Sequence, residues 1–326
     1  MRVLLYGYVT TNRVDLLRRF LDTPWDIDLL PDTSDRPAAQ EAIRQADAMA
    51  TISFEPDLTE PATGQLKLIH VPGAGVDSFK PELIPAGCVL CNCYEHEAPI
   101  AEYVMLNILR HATEQDRYAA TMRQGRWDGS GRHDGAFHDE IGGKTLGIIG
   151  YGHIGREVAK RAQAFGMEVI ATRRSPAPDE YLDECLPASD LHALLARSDY
   201  VVLALPQTPE STGLLDAAAL RKLKPTAYLI NPSRGPIIDQ AALYEALRTK
   251  QFAGAALDAQ FRYPPRESDI QNGWDYPFHE LEHVTLTPHF SAWTAAMVER
   301  RWRKIADNLD RLARGQTPQR IVIDKR

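Results

Sequence analysis

The chain has 326 residues, of which 44% are hydrophobic and 25% charged, with a formal net charge of −7. That length accommodates two domains with separate cores, and the acidic balance argues against a nucleic-acid-binding protein. No apolar run approaches the roughly 20 residues of a membrane span.

The start, MRVLLYGYVT, has too short an apolar core for an export signal, so the cytoplasm is the expected compartment. It reads instead as a first strand, Val3–Tyr6, followed by a short helix over 14–21. Further strands are expected at 47–52, 66–70 and 89–92. Strands alternating with helical signals imply a parallel sheet. Cys88, Cys91 and Cys93 fall on or beside the last strand, Cys91 and Cys93 on one face and Cys88 on the other. No second cysteine pair completes a four-ligand metal set, so free, largely buried thiols are expected. His279, His283 and His289 are interrupted by Pro288 and preceded by Pro277, which keeps them off a shared helix face, and no metal site is expected.

Pro99 opens a helical pattern from Ile100 to about Met122, long enough to link two domains or to form a dimer surface. A Gly/His/Asp-rich stretch, 128–143, leads to the most informative segment, GKTLGIIGYGHIGREVAKRAQAFGMEVIATRR (144–174). Leu146–Ile149 reads as a buried strand and meets G-Y-G-H-I-G at Gly150, Gly152 and Gly155. A helix follows to Phe165, Gly166 stops it, and a strand over 168–171 comes next. In this strand–turn–helix–strand frame the glycines mark a dinucleotide site. Gly150 permits the tight turn, Gly152 the approach of a pyrophosphate, and Gly155 the close packing of helix on strand. The pyrophosphate would rest on the N–H groups of His153 and Ile154, at the positive end of the helix dipole. An NAD site usually places an acid at the end of the second strand to bind the ribose 2′-OH. Here stand Thr172, Arg173, Arg174 and Ser175. Guanidinium groups match a 2′-phosphate, so NADP is the preferred cofactor, with NAD possible.

Strands are expected at 199–204, 227–230, 253–257 and 284–286, and a helix over 295–313 precedes a last strand, 321–323. In doubly wound sheets ligands bind at the carboxyl ends of strands. Gln207, Arg234, Asp258 and His289 all follow such ends. Arg234 suits a carboxylate and a neighbouring carbonyl oxygen, and His289 suits acid–base work near neutral pH.

With these residues in view, the chain resembles the D-isomer-specific 2-hydroxyacid dehydrogenases over nearly its whole length. The matching segments are V-P-G-A-G-V-D (71–77), Asn92, Ala101-Glu102, G-Y-G-H-I-G, I-N-P-S-R-G (230–235), G-A-A-L-D (254–258) and T-P-H (287–289). The resemblance implies an α/β chain with two Rossmann-like doubly wound parallel-sheet domains, the cofactor domain (97–291) inserted into a substrate domain (1–96 and 292–326). It implies a small 2-keto or 2-hydroxy acid substrate and hydride transfer. Arg234 would bind the carboxylate and carbonyl, His289 would be the general acid/base, and the amides of Ala74 and Gly75 would hold the carboxylate. Leu205, Pro206, Pro232, Ser233 and Asp258 would line the cofactor, Asp258 at the nicotinamide carboxamide. A homodimer through the helix 100–122 is also implied.

One departure stands out. The family usually writes a Glu that pairs with the catalytic His, and here the run L-D-A-Q-F-R-Y-P-P places Tyr263 at that position. Glu267, Asp269 and Asp275 are nearby acids that could fold back. Arg262, Arg266, Tyr94, Trp274 and Trp293 hint at a larger or anionic substrate. Two rival readings stay open: oxidation of formate or another small anion, which needs no general acid, and a non-enzymatic cofactor-sensing protein on the same scaffold.

Overall fold

The computed structural model describes residues 1–76, 78–127, 129, 131–133, 135–263 and 273–326. Asp77, Arg266, Glu267 and Asp269, singled out above, lie outside the described residues. The chain divides into two compact units, Met1–Glu95 with Thr294–Arg326, and His96–Trp293.

The first unit opens with β1 (Arg2–Tyr6), α1 (Tyr8–Thr11), α2 (Val14–Phe20), β2 (Asp26–Leu30), α3 (Arg36–Arg44), β3 (Ala48–Ala50), β4 (Leu68–His70) and β5 (Val89–Cys91). Side chains alternate across the strands as a pleat requires. Leu4, Tyr6, Cys88 and Leu90 enter one core, whereas Val3, Leu5, Val89 and Cys91 enter the other. Cys88 and Cys91 thus face opposite ways as expected, but Cys93 lies beyond the end of β5, so it shares no strand face with Cys91. All three are buried and outside any disulfide, and desolvation pushes Cys88 and Cys91 up to about 12.

The second unit begins with α4 (Glu97–Thr113) and α5 (Gln115–Arg123). This corrects the single helix expected over 100–122. Glu114 adopts a left-handed conformation (φ 46°, ψ 32°). The Ala112 carbonyl accepts instead from the returning backbone N–H of Asp139 at 2.9 Å, and the helix cannot continue. Pro99 sits in the first turn of α4, where its missing N–H costs nothing. Next come β6 (Thr145–Ile149), α6 (His153–Ala164), β7 (Glu168–Arg173), β8 (Glu184–Pro187), α7 (Leu191–Arg197) and β9 (Tyr200–Leu203). The unit continues through α8 (Ala217–Leu220), β10 (Tyr228–Asn231), α9 (Gln240–Arg248), β11 (Gly254–Leu257) and β12 (Val284–Leu286). The chain then returns to the first unit as α10 (Ala295–Ala313) and β13 (Ile321–Asp324).

The first unit's six-stranded sheet has the order β13-β5-β4-β3-β1-β2, parallel except for β13. The second unit's seven-stranded sheet has the order β12-β11-β10-β9-β6-β7-β8, and every pair is parallel. In each, order reverses once: between β1 and β3, and between β6 and β9. Both are doubly wound, so the carboxyl ends at these reversals are the places for ligands. The edge strands β2 and β8 escaped the sequence reading because they lack an apolar run, with no residue fully buried in either. Among the described residues, no helix is long and apolar enough to cross a membrane.

A buried histidine ties α10 to the first sheet. His70 is 1% exposed. Its Nε2 must accept from the Asn308 amide (3.0 Å), whose orientation is set by the backbone of Gln319, and its Nδ1–H donates to the Val71 carbonyl (3.2 Å). This neutral arrangement leaves no room for a second proton, and desolvation lowers the His70 pKa to about 4. Between pH 6.5 and about 4 the unfolded chain binds the proton and the folded chain does not. Stability conferred by neutral His70 is therefore complete above pH 6.5 and falls through that window, by on the order of 3 kcal/mol. Denaturant titrations at pH 7, 5.5 and 4.5 on the parent and on His70→Gln measure it. Parallel decline in both would remove His70 as the cause.

Candidate active site

The turn from β6 into α6 is built by its glycines. Gly150 has φ +91°, and a Cβ there would lie 2.6 Å from the Leu205 Cβ and 2.9 Å from the Ala204 carbonyl. A Cβ on Gly155 would meet the Gly150 carbonyl at 2.9 Å, so glycine is what lets α6 pack on β6. Gly152 has open space on the side where its Cβ would project. The first turn of α6, beginning at His153 and Ile154, carries N–H groups that the helix itself cannot satisfy. A diphosphate fits such a cradle. The Gly150 and Tyr151 N–H groups donate to the Thr172 carbonyl at 3.0 and 3.2 Å, joining the turn to the end of β7. Arg173 ends that strand half-buried, and Arg174 and Ser175 follow exposed. Glu210, in the loop after β9, feels the Arg174 charge as a minor influence, behind its contact with Thr208.

The second cluster forms at the ends of β10, β11 and β12. After β10, the Asn231 side chain accepts from the Ser233 N–H (3.0 Å) and donates to the Arg234 carbonyl (3.0 Å), shaping the turn. The Ser233 hydroxyl donates to the Leu205 carbonyl at 2.6 Å. Gly235 follows because a Cβ there would lie 2.4 Å from the Gln260 carbonyl. These contacts hold half-buried Arg234 at the strand end, with Pro232 buried beside it.

His289 sits after β12 with φ +56°, a left-handed conformation unusual for any residue but glycine. Asp258, fully buried, holds it there. Its carboxylate accepts from the Thr287 hydroxyl (2.6 Å) and from the N–H groups of Phe290 (2.9 Å) and Ser291 (3.0 Å). With the Thr287 proton directed at Asp258, the Tyr103 hydroxyl donates to Thr287 Oγ1 at 2.9 Å. Sequence reasoning found Asp258 but not this use of it, and it missed Thr287 as a linker and Tyr103 altogether. The only trace was T-P-H itself, whose Thr has no partner until the chain folds.

Tyr263 meets His289. Its Oη lies 3.3 Å from Nδ1, and the rings pack edge to face with centroids 5.3 Å apart. Poor solvation of the imidazole among surrounding protein, opposed by the Asp258 charge and reinforced by that of Arg234, lowers the His289 pKa. The structure therefore brings Arg234, Asp258, Tyr263 and His289 together. Ala74 and Gly75 belong to the first unit, in the loop after β4, where the Ala74 carbonyl accepts from the Asn92 amide at 2.9 Å. Asp275 pairs with Arg262 rather than with the histidine. Trp274 packs on Phe278. The Tyr94 carbonyl, in the first unit, accepts from Arg301, and Trp293 is exposed. Among the described residues no group of three or more His, Cys, Asp or Glu side chains is placed to hold a metal.

Comparison with known proteins places this geometry in context. The model of the D-isomer specific 2-hydroxyacid dehydrogenase NAD-binding domain matches residues 103–291. The chain is 32% identical over 294 residues to a glyoxylate reductase of Korarchaeum cryptofilum, covering 86% of this chain and 84% of that one. It is 30% identical to a glyoxylate reductase of Thermococcus litoralis, covering 98% and 96%. A solved NADPH-dependent glyoxylate/hydroxypyruvate reductase of Sinorhizobium meliloti, in complex with NADP and sulfate, superposes with a TM-score of 0.79 at 26% identity, covering 99% of this chain and 98% of that one.

Proposed function

The chain belongs to the D-isomer-specific 2-hydroxyacid dehydrogenase family, and from that premise we propose that it reduces a 2-keto acid to the D-2-hydroxy acid with NADPH as the preferred reductant. The family membership makes it a nicotinamide-dependent oxidoreductase of small 2-keto and 2-hydroxy acids. Direction, substrate and residue roles are the proposal. The observation that carries it is the meeting of Arg234 and His289 at the ends of β10 and β12, which flank β11, close enough for the guanidinium to influence the imidazole.

A nicotinamide cofactor, held by the Gly150–Gly155 turn and the first turn of α6, would supply the hydride that the carbonyl carbon takes up. Arg234 offers a planar, permanently charged fork to the substrate carboxylate and carbonyl oxygen, polarising the carbonyl. His289, protonated, directs Nε2–H at that oxygen and gives it the proton as the alkoxide forms, leaving neutral imidazole and the hydroxy acid. Tyr263 Oη accepts from Nδ1–H and fixes the ring, and Asp258 holds the backbone that presents it. Arg173 and Arg174, with no acid at the β7 end, support the 2′-phosphate reading, and the Sinorhizobium meliloti relative is described as NADPH-dependent. We place a homodimer contact on α4 and α5, whose apolar groove is lined by Leu109, Tyr118, Ala119 and Met122.

The test is turnover of glyoxylate, hydroxypyruvate and longer 2-keto acids with NADPH and with NADH, alongside formate with each oxidised cofactor. Reduction of at least one keto acid, faster with NADPH, is expected. Formate oxidation alone, or tight cofactor binding without turnover, would replace this reading with one of its rivals.

The phenol at Tyr263 has a kinetic signature. A carboxylate at that place would stabilise the imidazolium, and a neutral phenol does so less. With the His289 pKa already lowered, kcat/KM for reduction declines at a comparatively low pH, because reduction uses the protonated form. Oxidation, which uses the neutral form, tolerates the same range. Tyr263→Glu moves the declining limb of reduction to higher pH. Paired pH profiles of parent and variant measure this, and superimposable curves would remove Tyr263 from control of His289.

A further inference from the structure

The segment after Arg173 is pinned at both ends to the glycine turn, and one carboxylate makes most of the far attachment. At the near end the Thr172 carbonyl takes the N–H groups of Gly150 and Tyr151. At the far end, Asp179 accepts from the Tyr151 hydroxyl (2.9 Å), Arg156 Nε (2.9 Å) and the Tyr181 N–H (3.1 Å). Arg156 also pairs with Glu180 at 2.6 Å and lies over the Tyr181 ring, 4.6 Å from its centroid. Tyr181 and Leu182 pack on the core under α6, and Asp183 exchanges hydrogen bonds with Val169 in β7. Between these anchors lie Arg173, Arg174, Ser175 and two prolines, Pro176 and Pro178, whose fixed φ angles remove further freedom.

Tyr151 stands between the first two glycines of G-Y-G-H-I-G, where it is only 7% exposed and its hydroxyl is spent on Asp179. Arg156 stands one residue after the last glycine of the motif. Both are therefore carried by the same turn that cradles the diphosphate. We propose that Asp179, gripped by Tyr151 and Arg156, is a positioning residue for cofactor selectivity: it sets the Arg173–Ser175 loop at the place where a ribose 2′-phosphate would lie. This rests on the NADPH reading of Arg173 and Arg174. A loop already held in its binding shape does not lose its freedom when the anion arrives, so the arginines contribute their full charge-assisted contact. Releasing the far anchor frees the loop and weakens phosphate recognition. The diphosphate cradle stays intact, because it depends on the glycines and on α6.

Calorimetric titration with adenosine 2′,5′-bisphosphate and with 5′-AMP tests this on the parent, Asp179→Ala, Asp179→Asn, Tyr151→Phe and Arg173→Asp. For Asp179→Ala, affinity for the bisphosphate is expected to fall about tenfold or more while affinity for AMP changes less than about threefold. Tyr151→Phe, which removes a single hydroxyl and keeps the ring packing, should show a smaller loss in the same direction, and it carries the test if the alanine variant does not fold. Equal loss toward both nucleotides in these variants would mark a general structural latch and overturn the proposal. If Arg173→Asp abolishes discrimination while the Asp179 and Tyr151 variants keep it, the NADPH reading stands and the proposal falls. If Arg173→Asp also leaves discrimination unchanged, both fall.

Discussion

Replacing His289 by asparagine lowers kcat for keto-acid reduction by about 10²- to 10⁴-fold, the usual contribution of a positioned general acid. Asparagine is the informative replacement because residue 289 sits at φ +56°. Asparagine tolerates the left-handed region better than most residues, so the backbone held by Asp258 at Phe290 and Ser291 stays in place and the loss reports on chemistry. The substitution also abolishes the pH-dependent decline of reduction, since the group responsible is gone. Cofactor affinity, measured by titration, stays near that of the parent. Retention of more than about one tenth of parental kcat on the best keto acid would take His289 out of the acid's role. If formate is also turned over, its rate should be indifferent to this change, because hydride loss from formate needs no proton donor.

Arg234→Lys lowers kcat/KM by about 10²- to 10³-fold, the scale seen when a donor to developing oxygen charge is lost. Lysine keeps the charge but not the planar fork that spans a carboxylate and an adjacent carbonyl. The carboxylate contact is made in ground and transition states alike, so its loss raises KM. The carbonyl contact strengthens as charge builds on oxygen, so its loss lowers kcat. Both parameters should therefore move. Arg234 is well suited to this test because Asn231, Ser233 and Gly235 shape its turn through backbone and small side chains that the substitution leaves alone. Unchanged kinetics on every substrate turned over would remove Arg234 from the site.

Much of this molecule could be read before it was seen folded. The strand-turn-helix around Gly150, Gly152 and Gly155 is a local pattern, and local steric needs of glycine survive into the fold unchanged. The polar residues after the apolar runs at 227–230 and 284–286 marked strand ends, and a doubly wound sheet gathers such ends. The misreadings were of features whose cause lies far along the chain. Helix α4 stops because Asp139 takes a carbonyl that the helix would have used. Strands β2 and β8 pair at sheet edges, where polar side chains are tolerated and the apolar signal fades.

The sequence by itself determined the cofactor motif and the α/β class and marked Arg234 and His289 as candidates, because each depends on residue type at a position set by short-range rules, whereas Tyr263 stood out only through the family resemblance. Tertiary structure alone decided what those side chains touch. Asp258 grips the loop of His289 across 33 positions, Tyr263 reaches its ring across 26, and Tyr151 reaches Asp179 across 28. Contacts of that range are specified by how strands order and helices pack, and no periodicity or spacing within a single segment encodes them.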